Sequence, residues 1–181
     1  HGVLSKRSSR KLKLIIYQAN KNKFLDDSFK RKIEEVITAS YFERTGGKDA
    51  SNEIRSWKES LQYIAKVLND EDIPGDSAVA IEYKIPQTSK RVDFILSGQG
   101  ADNSANVIIV ELKQWSEATI TSKDGVVITR RGGKGGESEG PHPSYQAWSY
   151  ASLLQGFNEA VYDGGLSLKP CAYLHNYASD N

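Results

Sequence analysis

From Phe24 to Phe42 the apolar residues return every three or four positions, with Phe29, Ile33, Val36 and Ile37 on one side and Gly46-Gly47 closing the run. That period predicts a helix with an apolar stripe. A second helix opens at Ser51, Asn52 and Glu53 and carries Ile54, Trp57, Leu61, Ile64, Ala65 and Leu68 at helical spacing until Ile73-Pro74-Gly75 breaks it. The period then drops to two. Val79 to Ile85 alternates and stops at Pro86, Arg91 to Leu96 follows, and Asn106 to Lys113 begins apolar on both sides, as a central strand does. Val126 to Thr129 reads as a fourth strand, and Arg130 to Gly140, with five glycines, as a loop. Pro143 sits where a helix start tolerates proline. Ser144 to Asn158 then carries Tyr145, Trp148, Ala151, Leu154 and Phe157 as an expected buried stripe. Pro170 to His175 is a last strand, and Leu14 to Tyr17 a short strand or docking segment ahead of the helices. Strands clustered between helices predict an α/β protein with a central mixed β-sheet flanked by helices.

Composition narrows the class. The 181 residues are 38% hydrophobic and 26% charged, enough for one core without disulfides. No apolar run reaches the roughly 18 residues of a spanning helix, so no membrane partner is expected. The single cysteine, Cys171, excludes an intrachain disulfide and a four-cysteine metal site, and in its apolar strand it is expected to pack; a cytoplasmic location fits. The net charge of +1 conceals an asymmetry. Residues 1–23 hold seven bases and no acid, leaving 17 bases against 23 acids in the remainder. Residues 1–13 are expected to form a basic leader, and residues 14–181 a single domain made of a helical lead-in (14–75) and a sheet core (76–181). No signal-peptide core is evident near the start.

The informative residues are charged ones in strands that otherwise read as buried. Alternation places Val107, Ile109, Glu111 and Lys113 on one side of their strand, so an apolar face turns charged at its C-terminal end. Asp93 is expected on the face opposite Val92, Phe94 and Leu96, and pairing of the two strands would bring Asp93 and Glu111 together. A carboxylate buried there costs several kcal/mol unless paired or metal-bound. Two carboxylates and a lysine suit metal-assisted phosphodiester hydrolysis: the acids hold Mg²⁺ or Mn²⁺, the ion acidifies a water, and the lysine positions that water or offsets phosphate charge. The competing reading is a strand-end ion pair, Glu111 with Lys113 or Asp93 with Arg91. Gly132 to Gly136 is no phosphate loop, because Lys134 is followed by glycine where Ser or Thr would bind magnesium.

Asp93, seventeen intervening residues and Glu111-Leu112-Lys113 resemble the core of the PD-(D/E)xK nuclease superfamily. Gln146 and Tyr150, four apart on the following helix, resemble the Q-x-x-x-Y pattern of its RecB-like branch. The stretches 51–68, 81–96, 110–115 and 142–154 resemble the N-terminal nuclease module of bacterial nuclease–helicase fusions. The resemblance implies a restriction-endonuclease-like fold and a DNA-cleaving activity with Mg²⁺ or Mn²⁺, in DNA processing or phage defence, with a downstream helicase domain as partner. It implies Asp93, Glu111 and the Leu112 carbonyl as metal ligands, with Glu53 or Glu82 as a further acid. Lys113 becomes the catalytic lysine, with Gln146 and Tyr150 beside it. From the residues themselves, Arg130, Arg131 and Lys134 are either DNA-backbone contacts or part of a solvated loop, and His142 is a helix cap or a phosphate contact. The alternative is a catalytically inactive nucleic-acid-binding or partner-docking module of the same fold.

Overall fold

The computed structural model describes residues 15–45, 50–130, 136–157, 161 and 165–178. A five-stranded mixed sheet forms its centre. Strand β1 (Tyr17–Asn20) lies at one edge, followed by β2 (Ala78–Lys84), β3 (Arg91–Gln99), β4 (Ala105–Lys113) and, at the other edge, β8 (Ser167–Leu174). All neighbours are antiparallel except β4 and β8, which run parallel. A parallel pair needs a crossover. Here it comprises a small antiparallel sheet, β5 (Thr119–Ile120), β6 (Val126–Arg130) and β7 (Glu137–Pro141), and then helix α4 (Pro143–Phe157). Pro170, which has no N–H for a ladder, lies in the edge strand β8. Among the described residues no helix is long and apolar enough to cross a membrane.

Among the described residues, three helices precede β2. Asn20 caps α1 (Lys21–Phe29), its side chain accepting from Lys23 N–H at 2.8 Å. Arg31 then adopts φ 57, which the helical ladder cannot continue through, and α2 (Lys32–Thr45) starts beyond it. The single helix expected over 24–42 is thus broken, and its face shifts: Ile33, Ile37 and Tyr41 are buried while Phe29, Val36 and Phe42 are exposed. Helix α3 (Ala50–Leu68) buries Leu61, Ile64, Ala65 and Leu68 as its spacing predicted. The polar run expected as a loop contains β7, paired with β6 from Arg130↔Glu137 to Val126↔Pro141; its glycines and charges hide the alternation of a hairpin that is mostly exposed.

Two hydrophobic clusters cover the sheet. One joins α1, α2 and α3 to Val79, Ile81, Phe94 and Val110, the other joins α4 to Ile85, Val92 and Ile109. Side chains alternate faces along a strand. Along β2 and the residue that follows it, however, Val79 and Ile81 face the first cluster whereas Tyr83 and Ile85 face the second. The reversal falls on Glu82, whose φ is 55. In β3 it falls on Asp93, so Val92 does not share a face with Phe94 as alternation had suggested; the left-handed residue beside it turns the ladder over.

Helix α4 also buries a face other than the expected stripe. Ala147, Tyr150, Ala151 and Leu154 are inside, while Tyr145 and Trp148 are each 54% exposed and stack on one another at 5.6 Å. Two alanines let the helix lie close to the sheet, and apolar bulk alone misplaces that phase. Outside, the Tyr145 ring covers Gly125, where φ is 68 and an added Cβ would meet the ring at 3.4 Å.

Candidate active site

The β3–β4 ladder stops at Phe94↔Val110, whereas β2–β3 pairing continues to Lys84↔Arg91 and β4–β8 pairing to Lys113↔Leu174. The two central strands therefore fork. Continuing their register by one residue sets Asp93 opposite Glu111, so both carboxylates stand in the mouth of the fork. Asp93 also replaces part of the lost ladder: Leu112 N–H donates to its Oδ2 at 2.9 Å. A cavity of about 330 Å³ opens there between α3 and α4, lined by Asp93, Glu111, Leu112, Lys113 and Gln146, with Ser56 and Ser60 on its α3 wall.

Glu111 is 2% exposed. Its Oε1 accepts from Lys113 Nζ at 2.5 Å and from Gln146 Nε2 at 2.7 Å, while its Oε2 is buried with no hydrogen-bond partner. The second amide hydrogen of Gln146 is directed to Tyr150 Oη, also at 2.7 Å. Sequence spacing placed Gln146 and Tyr150 on one helical face, and that face meets the end of β4. The strand-end ion pair of the competing reading is present between Glu111 and Lys113, but Arg91 pairs with Glu82 rather than Asp93. A simple ion pair accounts for neither the second carboxylate nor the orphaned oxygen.

Burial, and then the neighbouring charge of Asp93, push the Glu111 carboxyl up to about 7 against the pull of Lys113. Asp93, half-buried in surface but densely surrounded, is also raised, by burial working against the Leu112 N–H and Lys113. Burial holds the Tyr150 phenol up at about 12, so it keeps its proton at neutral pH. Two carboxylates short of positive charge, one with an oxygen shut away and unused, suit a hard divalent cation, which commonly takes one or two protein carboxylates with waters and substrate oxygens. Among the described residues no group of three or more His, Cys, Asp or Glu side chains gathers around a metal position; Asp93 and Glu111 are the two carboxylates lining this cavity that could hold a cation, with the Leu112 carbonyl as candidate third.

The other predicted residues fall elsewhere. Glu53 is within α3, but its side chain, like Arg131 and Lys134, lies outside the described residues. Glu82 is buried in an adjoining cavity, accepting from Trp57 Nε1 at 3.1 Å and lying 3.6 Å from Arg91. Its left-handed backbone costs on the order of 1–3 kcal/mol for a residue with a Cβ, and persists where surroundings over-determine it. Arg130 is exposed and lies 3.7 Å from Glu117 and 4.0 Å from Glu137. His142 caps α4: Ser144 N–H approaches its Nδ1 at 3.2 Å, and Gln146 N–H donates to its carbonyl at 3.0 Å. Cys171, expected to pack, is exposed because the flanking cavity leaves this part of the edge strand open.

Sequence reading missed the polar wall. Ser60 Oγ is 3.0 Å from His175 Nε2, whose ring stacks on Tyr63, and Gln114 Nε2 donates to Ser56. Its trace in the sequence is Ser56 and Ser60, four apart, flanking Trp57 and Leu61 on the apolar side of α3. His175 reaches it because β8 runs parallel to β4, a pairing without local signature. Comparison with family models, curated proteins and solved structures finds no match to this chain.

Proposed function

We propose that this chain is a divalent-metal-dependent nuclease of the restriction-endonuclease-like fold that hydrolyses phosphodiester bonds in DNA, within a larger nuclease–helicase protein. The observation that carries the reading is the Gln146 amide spanning Glu111 and Tyr150, which joins two sequence-distant patterns at the carboxylate pair. Asp93 and Glu111 would hold Mg²⁺ or Mn²⁺ with the Leu112 carbonyl. When bound, the cation supplies the positive charge that acidifies a water and offsets charge on the phosphate. Gln146 and Lys113 engage Glu111 Oε1, which leaves Oε2 for the metal. Lys113 spends one N–H on Glu111 and has two more for the attacking water or a non-bridging phosphate oxygen. Both Gln146 amide hydrogens are used, so the Tyr150 hydroxyl keeps its own hydrogen for another acceptor.

A cleavage assay on plasmid and linear DNA with Mg²⁺, Mn²⁺ or EDTA tests this. Cleavage is expected with metal and not with EDTA, and Asp93→Ala and Lys113→Ala are each expected to lose about a hundredfold or more. Cleavage that persists in EDTA, or survives both substitutions, overturns the assignment.

A further inference from the structure

A second cavity, about 460 Å³, adjoins the first and shares Ser56 and Trp57 with it; Glu82, Lys90, Arg91 and Tyr150 line the remainder with Ser89. We propose that it seats a phosphate of the nucleic-acid backbone next to the scissile one, with Arg91 and Lys90 as its ligands and Glu82 as the positioning residue for Arg91. The proposal rests on the nuclease reading and extends it to the path of the substrate strand.

Arg91 carries five N–H donors in a planar fork that matches two phosphate oxygens. Among the described residues it spends none of them on a hydrogen bond. Its approach to Glu82 is 3.6 Å, an ion-pair distance longer than a hydrogen bond, and its Nε is buried without a partner. The side chain remains 37% exposed toward the cavity. A guanidinium serving only the fold would be expected to close on its carboxylate. Glu82 is held on its other oxygen, where Oε1 accepts from Trp57 Nε1, and leaves the strand from a backbone at φ 55.

Charge and spacing agree. The first cavity combines Asp93 and Glu111 with Lys113, a net negative set for a cation, while the second combines Lys90 and Arg91 with Glu82, a net positive set for an anion. Arg91 and Asp93 are two residues apart on β3, roughly 6.5 Å along the strand, a step of the order separating successive phosphates of one nucleic-acid chain. A strand lying between α3 and α4 would thus present one phosphate to the metal-binding carboxylates and the next to the guanidinium.

The test is fluorescence anisotropy of a labelled single-stranded oligonucleotide in EDTA over a salt series, with wild type, Arg91→Gln and Lys90→Ala. Arg91→Gln is expected to weaken binding about tenfold and to reduce the slope of log K against log[salt] by about 0.7, the value for one phosphate contact. Lys90→Ala, on the exposed turn, is expected to change the slope in the same direction and decides the matter if Arg91→Gln fails to fold. Unchanged affinity and slope in both variants, or no binding by wild type, overturns the proposal. Cleavage with Mg²⁺ in the same preparations separates the two ideas: wild-type cleavage with an unchanged slope sinks the phosphate seat alone, and a reduced slope without cleavage sinks the nuclease reading alone.

Discussion

Glu111 illustrates how much a single buried atom constrains. Its raised carboxyl means that between about 4.5 and about 7 the folded chain holds a proton the unfolded chain has released. Stability of the metal-free protein should therefore be fully present below that window and fall as pH rises through it, with Asp93 adding in the same direction. Divalent cations should reverse the loss, because they replace the proton on the carboxylates, and their stabilising effect should grow with pH. Thermal melts across the window with EDTA or Mn²⁺ check both slopes; a metal-free protein that gains stability from pH 4.5 to 7 contradicts the assignment. Gln146→Ala removes the donor shared by Glu111 and Tyr150 and should cost about 1–3 kcal/mol in denaturant unfolding while lowering cleavage. Restored cleavage in Gln146→Asn would show that an amide at this position is not required to span both partners.

At the level of elements, the phase of α4 sets the geometry of the site. Ala147 and Ala151 are buried against the sheet, so Ala147→Leu should overpack the contact by roughly 1–3 kcal/mol, whereas Trp148→Ala, on the open side, should stay within about 0.5 kcal/mol. Urea unfolding of the two variants checks the order. The large aromatics had suggested the reverse, since hydrophobic bulk is the strongest periodic signal in the helix although the close approach depends on its smallest residues. Strands β2, β3 and β4 were legible because their alternation is clean up to the site. Where Glu82 and Asp93 reverse the faces, alternation fails, because one left-handed backbone is invisible in residue type when the residue is glutamate. The meeting of Asp93 and Glu111 was legible because charge in an apolar strand is a local signal; i, i+4 spacing put Gln146 and Tyr150 on one helical face, and only the family resemblance brought that face to the carboxylates. The serine and histidine wall was not legible, because it arises from a parallel pairing between residues about sixty positions apart.

Across the whole molecule, the site occupies the place where both hydrophobic clusters run out. The sheet separates the α1–α3 core from the α4 core, and at the fork residues from both sides reach the same two adjoining cavities. Charge follows that plan: the cavity holding Asp93 and Glu111 adjoins the one lined by Lys90 and Arg91. The same sheet has two outer margins, and their construction bears on the protein's behaviour at high concentration. One margin is the four-residue β1, too short to template a partner, and the other carries Lys169 and Pro170 in β8. Lysine, proline and brevity are the devices by which open sheets resist adding strands from a neighbouring chain. Pro170→Val should weaken that protection and increase the share of fast-sedimenting material in sedimentation velocity, with no change expected from Ser152→Val on the exposed side of α4. The residue that makes β8 a poor strand is thus a safeguard against fibrous association of one copy with the next.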